Sequence, residues 1–345
     1  MPLDFDPNSA SLPDSGAFGL PHTAEQAHVI LVPVPFEATT SYGGGTSDGP
    51  AAILEASRQV DLFDLETGRP YARGIHMLES PTDVRAWSDA AKVEAAKVIE
   101  AGGVNPDDPA LVAAAEAVNE ACEQMNAWVL QTARTWLEKG RLVAGVGGDH
   151  GTSYGMIQAH AERFPGMGVL HVDAHADLRN AYEGFTWSHA SIMHNVATRL
   201  SGVEKIVQVG IRDFCEEEFD FIEASKGRIR TFFDAHNKER LFNGEPWGKL
   251  VGEMVAALPQ DVFISFDIDG LDPVLCPNTG TPVPGGLSFA EANTLIAAVA
   301  KSGRRIVGFD LNEVSPAGEG DEWDGNVGAR MLYKLIGWTL KSQQR

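Results

Sequence analysis

Apolar positions along this chain fall mostly in short unbroken runs. HVILVPVP (28–35) is a β-branched run closed by prolines and predicts a buried strand. RLVAGVGG (141–148), GMGVLHVD (166–173), KIVQVG (205–210), DVFISFD (261–267) and RRIVGFDL (304–311) predict further strands of the same kind. Helix-length segments lie between them, near 152–163, 189–200, 216–225, 246–258 and 288–302. A longer helical stretch, 86–139, is broken at AGGVNPDDP (101–109) and stops at Lys139-Gly140, a basic residue followed by glycine. The glycine-rich SYGGGTSDGP (41–50) reads as a loop whose Pro50 suits the first turn of a helix over PAAILEAS. Apolar strands alternating with helices predict an α/β fold, with a mainly parallel sheet covered on both faces. Residues 1–27, rich in Pro, Ser, Asp and Gly, read as an irregular N-terminal arm that a neighbouring subunit could hold. Residues 28–345 contain no linker, repeat or low-complexity tract, so a single catalytic-size domain is expected there.

Composition narrows the function. Lys plus Arg number 27 against 48 Asp plus Glu, a net charge of −21. Such a chain repels phosphate backbones and anionic lipid, so nucleic-acid and membrane partners are not expected, whereas a cationic substrate is allowed. Cys122, Cys215 and Cys276 are far apart with no CxxC pair, which argues against a disulfide framework or a thiolate zinc site and for reduced, buried thiols. The N-terminus lacks the basic and apolar regions of a signal peptide, and no apolar run is long enough to span a bilayer; a cytoplasmic location is the expectation.

Histidines are not spread evenly. Six of the ten lie between positions 150 and 194. Acids and imidazoles also collect just past predicted strands: Asp149 and His150, then Asp173, His175 and Asp177, then Asp267 and Asp269, then Glu313. In a parallel sheet that edge is where ligands bind. Unpaired buried carboxylates cost several kcal/mol each, roughly, and a bound divalent cation removes that cost. An extended segment would put Asp173, His175 and Asp177 on one face. With Asp267, Asp269 and His150 they make six candidate ligands, more than one zinc ion normally takes. The set suits two ions sharing carboxylates, Mn²⁺ or Ni²⁺. Taken singly, each cluster has a plainer reading: a solvated loop for 173–177, a turn before Gly270 for Asp267 and Asp269, a structural histidine for His150. Asp149 and Asp272 read as structural, His171 as a core or supporting residue, and His160 as a surface position on a helix.

GGDH (147–150), DAHAD (173–177) and SFDIDGLDP (265–273) together resemble the signature segments of the ureohydrolase family of arginases and agmatinases. The resemblance extends from VPVPFEATTSYGGGTSDGPAAI to GFDLNEVSP (308–316). It implies a three-layer, arginase-like α/β/α fold and a pair of divalent ions. On the matching positions, His150 and Asp177 would be terminal ligands of the first ion, His175 and Asp269 of the second, and Asp173 and Asp267 the bridging carboxylates. A water acidified between the ions would be the nucleophile. His189 in SHAS matches a loop histidine that would carry a proton to the leaving amine. Glu313 in NEVSP matches the carboxylate that pairs with the planar guanidinium. The product would be urea, or a urea derivative, plus an amine or ammonia. The resemblance also implies a homo-oligomer, or a hetero-oligomer with a paralogous subunit.

One departure bears on the substrate. Where arginases carry a small polar residue two positions after the last DAHAD ligand, this chain has Arg179, which speaks against arginine. The segment is more similar to an agmatinase-like branch that includes nickel-dependent hydrolases of free guanidine and of biguanides such as metformin. The loop with Arg179 and Trp187 is therefore expected to shape the substrate end of the pocket; alternatively its aromatics only pack the loop. Two competing readings stand beside this one. A mononuclear zinc, deacetylase-like amidohydrolase would need neither a bridging Asp173 nor Glu313. A non-catalytic or regulatory subunit would have lost metal ligands, and all six are present here.

Overall fold

The computed structural model describes residues 5–12, 14–40, 42–316, 318 and 322–344. Its strands are β1 (Val29–Val34), β2 (Ile75–Met77), β3 (Leu142–Gly147), β4 (Met167–Val172), β5 (Val203–Val209), β6 (Ile229–Phe232), β7 (Asp261–Asp267) and β8 (Arg305–Asn312). They form one sheet in the order β2-β1-β3-β8-β7-β4-β5-β6, and every recorded pair is parallel. The helices are α1 (Gly49–Ser57), α2 (Thr82–Glu100), α3 (Pro109–Glu138), α4 (Tyr154–Arg163), α5 (Ile192–Arg199), α6 (Glu216–Ala224), α7 (Asp234–Phe242), α8 (Trp247–Ala256), α9 (Phe289–Lys301) and α10 (Trp323–Ser342).

Side chains alternate across the sheet, so each strand feeds two cores. Leu142, Ala144 and Val146 of β3 join a cluster with Ile53 of α1, Leu250 of α8, Leu295 of α9 and Trp338 of α10. Val143, from the same strand, joins a second cluster with Val84 of α2, Val118 of α3, Ile157 of α4 and Val196 of α5. The result is a three-layer α/β/α arrangement, as the strand pattern predicts. Parallel pairing has one consequence for function: the C-terminal ends of β3, β4, β7 and β8 open on the same edge.

Each predicted strand is present with its ends within two residues of the expected ones; β7 matches, β5 starts two residues earlier, β8 ends one later, and the other ends are trimmed by one. The helical break falls where expected, with Asp108 capping α3 through the amides of Ala110 and Leu111 ahead of Pro109. Four elements lie outside the sequence reading: the short outer strands β2 and β6, and helices α7 and α10. The glycines of α10 resemble helix breakers but serve packing. A side chain at Gly328 would press on Val314 and Ile53, and one at Gly325 on the backbone of Ala52. In the arm, Ala17, Phe18 and Leu20 are buried in the first core, and the Phe18 ring lies 4.9 Å from that of Tyr333. No helix is long and apolar enough to cross a membrane among the described residues.

Candidate metal centre and its cleft

Backbone contacts at the strand ends set the site. Beyond β3, Gly148 leaves room for the carbonyl of Phe36, which would lie 2.0 Å from any Cβ at this position. That approach lets Asp149 bind the segment after β1, its Oδ2 accepting from the Ala38 amide at 3.1 Å. His150 is thereby aimed inward and is 1% exposed. Its Nδ1 lies 2.9 Å from Asp173 Oδ2, 3.1 Å from Asp177 Oδ2 and 3.2 Å from Asp267 Oδ2. His175 Nδ1 sits 3.0 Å from Asp269 Oδ2 and 3.5 Å from Asp173 Oδ1. Five of the six predicted ligands therefore fall in two groups that could hold an ion, His150, Asp173 and Asp177 with His171 beside them, and Asp173, His175 and Asp269. Asp173 is common to both with one oxygen turned to each, and Asp267 joins the first through His150.

The route to this convergence differs from the expected one. β4 ends at Val172; past it His175 makes only an isolated parallel bridge with Asp213, and the ladder does not carry on to Asp177. Asp177 reaches the cluster because its backbone is left-handed, at φ 55°. For a non-glycine residue that conformation costs on the order of 1 kcal/mol and marks a position the surroundings enforce. Glu313 is held in the same way, at φ 64°.

Charge crowding gives the cluster its chemistry. Burial, together with Asp269 and Asp173, pushes the Asp267 carboxyl well above its ordinary range. Burial and Asp173 push Asp177 up to about 8. Burial alone would depress His175, but Asp269 and Asp173 outweigh it and push the imidazole up to about 12. These are signs of a buried anionic nest short of positive charge, and the donor set of imidazole nitrogens and carboxylate oxygens fits divalent cations of the Mn²⁺ or Ni²⁺ kind.

Glu313 closes the nest from β8. Its Oε1 accepts the His150 amide at 2.8 Å, while its buried Oε2 has no hydrogen-bond partner. His189, at the start of the turn before α5, has Nδ1 3.0 Å from Thr39 Oγ1. Burial first, then the nearby His175 and His150, hold this imidazole down to about 4. An open cavity of about 260 Å³ lies over His175, Asp177 and His189, with Arg179, Tyr182 and Asp213 in its wall. Arg179 lies over the Tyr182 ring at 4.9 Å and only 3.7 Å from Glu218, whose two oxygens are already taken by the amides of Leu178 and Cys215. Trp187 is not in that wall. Its ring packs on Tyr154 and under Arg199, and its Nε1 donates to Glu123, because the loop turns it outward towards α3 and α4.

Several supporting residues escaped the sequence reading. His150 Nε2 is 2.9 Å from Ser265 Oγ, which donates to Asp310 Oδ1. On the other side, Thr231 Oγ1 donates to Gln208 Oε1, Gln208 Nε2 meets His171 Nδ1 at 3.1 Å, and His171 Nε2 meets Asp173 Oδ2 at 2.8 Å. Their signal was a polar residue interrupting an apolar strand: Gln208 in KIVQVG, Ser265 in DVFISFD, Asp310 in RRIVGFDL. The surface position expected for His160 is incorrect: the side chain is fully buried, bonded to the Met156 carbonyl and packed on Phe263.

Known proteins resemble this chain over most of its length. The model of the arginase family matches residues 27–337. The chain is 33% identical to an N(1)-aminopropylagmatine ureohydrolase of Thermus thermophilus over 314 residues, covering 91% of this chain and 90% of that protein. It is 29% identical to an agmatinase of Bacillus anthracis, covering 91% and 93% of the two chains. Among solved structures, an agmatine ureohydrolase of Thermoplasma volcanium superposes with a TM-score of 0.71 at 24% identity, covering 93% of this chain and 92% of that one. The proclavaminate amidino hydrolase of Streptomyces clavuligerus gives 0.72 at 22% identity, covering 97% and 99%.

Proposed function

The chain belongs to the arginase family, a group of hydrolases acting on C–N bonds of linear amidines, and from that premise we propose that it is a dinuclear-metal hydrolase of a small guanidino cation. Guanidine, a metformin-like biguanide or an agmatine-like compound is the substrate class. One observation carries the reading: Asp173 is shared by two imidazole–carboxylate groups beside the unpartnered Oε2 of Glu313.

His150 and Asp177 would hold one ion, His175 and Asp269 the other, with Asp173 and Asp267 between them. When bound, Mn²⁺ or Ni²⁺ supplies a strong nucleophile from water at neutral pH. The protein's own groups do the rest. A guanidinium is planar and resonance-stabilised, so it must be held rigidly and its charge matched. Glu313, pinned through Oε1, presents Oε2 to the N–H fork. His189, with Nδ1 occupied by Thr39, has Nε2 left to move a proton to the departing nitrogen. Arg179 stands at the cavity wall, where it acts on the substituent of the substrate rather than on its reacting carbon.

The test is direct. Protein loaded separately with Mn²⁺ and Ni²⁺ is assayed for urea release from guanidine, agmatine, guanidinobutyrate and arginine, and for dimethylamine release from metformin. Turnover of at least one guanidine or biguanide, with two ions per chain, is expected. One ion per chain would favour the deacetylase-like alternative, and no turnover with either metal would favour a non-catalytic subunit.

A further inference from the structure

Arg212, three residues past the end of β5, is the most heavily committed side chain near the cleft. Its own amide donates to the Ala174 carbonyl at 2.7 Å, between the ligands Asp173 and His175. Its guanidinium then fans over three segments. Nη1 donates to the Gly210 carbonyl at 3.1 Å, and Nη2 to the carbonyls of Asp269 at 2.8 Å and Leu271 at 3.1 Å. Nη2 and Nε both reach the Val283 carbonyl, at 2.8 and 3.2 Å. Val283 belongs to the outer wall of the cavity, and Asp269 is a candidate ligand.

The chain makes room for this fan. Gly286, at φ 95°, has no Cβ that would sit 2.9 Å from Arg212 Nη2. No carboxylate among the described residues pairs with Arg212, so the fan is not the by-product of an ion pair. Only guanidinium offers five N–H donors in one plane, and lysine could satisfy a fraction of these carbonyls from one point.

We propose that Arg212 is a positioning residue which fixes the second cation position, at His175 and Asp269, and the Thr281–Val283 wall of the cavity as one unit. The proposal rests on the functional reading above. It predicts that loss of Arg212 moves two quantities together: retention of one of the two ions, and KM for the guanidino substrate.

The experiment compares Arg212→Met and Arg212→Lys with Arg228→Met. Arg228 also donates to main-chain carbonyls, those of Ala197 and Val203, but at the opposite end of the sheet, so it is a matched structural control. Metal content is measured after equilibration at graded Mn²⁺, and KM at saturating Mn²⁺. In Arg212→Met one ion should be held as in the wild type and the other about tenfold or more weakly, in the range seen for residues that support metal ligands. KM should rise by a similar factor, with Arg212→Lys intermediate and Arg228→Met unchanged on both counts. If Arg212→Met does not fold, Arg212→Lys decides by the same readouts. Arg212 variants that lose thermal stability while keeping wild-type ion retention and KM would overturn the proposal alone. A wild type holding one ion would remove the dinuclear reading and this inference with it.

Discussion

Glu313→Gln separates recognition from folding with a change of one heavy atom. The two carboxylate oxygens have different jobs: Oε1 accepts the His150 amide, and Oε2 is buried without a partner. In the variant the amide oxygen must stay on the His150 N–H, which turns the amide nitrogen, a donor, into the cleft. A guanidinium arriving there meets donor against donor. Losing one partner of a buried charged pair costs about 2–5 kcal/mol. Because donors now face each other, the upper half of that range applies, and kcat/KM should fall by roughly 300- to 4,000-fold at about 1.4 kcal/mol per tenfold. Stability should move the other way. Burial, then the charges of Asp267 and Asp149, make ionised Glu313 unfavourable in the folded protein, its carboxyl lying well above its ordinary range. Neutral glutamine removes that repulsion, so the melting temperature of metal-free protein should rise, on the order of 2 °C per kcal/mol gained for a chain of this size. Steady-state kinetics on the best substrate and melting after chelation read both effects. A loss in kcat/KM under about fivefold, with the binding-site geometry intact, would refute the assignment of Glu313 to the guanidinium.

Three further outcomes follow from other parts of the site and core. Thr39→Val leaves His189 Nδ1 with only the longer 3.4 Å contact to Ser188 Oγ; kcat should drop by about tenfold with KM little changed, and a KM effect instead would give Thr39 a binding role. Burial holds His160 at about 4 against an ordinary 6.5, so its contribution is intact above pH 6.5 and is lost as pH falls towards 4. That gap corresponds to about 3 kcal/mol, and denaturant melts of metal-loaded His160→Leu should lose stability less steeply than wild type across that window. Trp187→Ala should destabilise by about 2 kcal/mol through its lost packing on Tyr154 while the ranking of substrates stays the same; an altered ranking in guanidine assays would return Trp187 to the pocket.

The six candidate ligands were legible because their chemistry conflicts with their surroundings. An acid closing a mainly apolar strand needs a reason, and four such strands shared one edge. What could not be read was how the ligands get there. The left-handed backbone of Asp177 depends on loop contacts that no periodicity encodes. Likewise Trp187 and Arg179 sit eight positions apart on one loop, and only the folded path shows that one faces the cavity and the other the helices. β2 and β6 were missed because strands of three and four residues carry too few alternations to register. Helix α10 was missed because its glycines suit close helix packing and lower helix propensity at the same time.

The chain of contacts from Thr231 through Gln208 and His171 to Asp173 crosses from the last strand of the sheet to the middle of the nest. A half-exposed threonine on the outer edge is thus an anchor for the most central carboxylate, and the alignment of that carboxylate depends on every joint along the way. Exchanges at position 231 in a mutational library would be expected to surface as activity defects rather than as solubility defects, despite their distance from any substrate. Engineering efforts that treat the rim of the sheet as free ground for surface redesign would be altering the site from its far end.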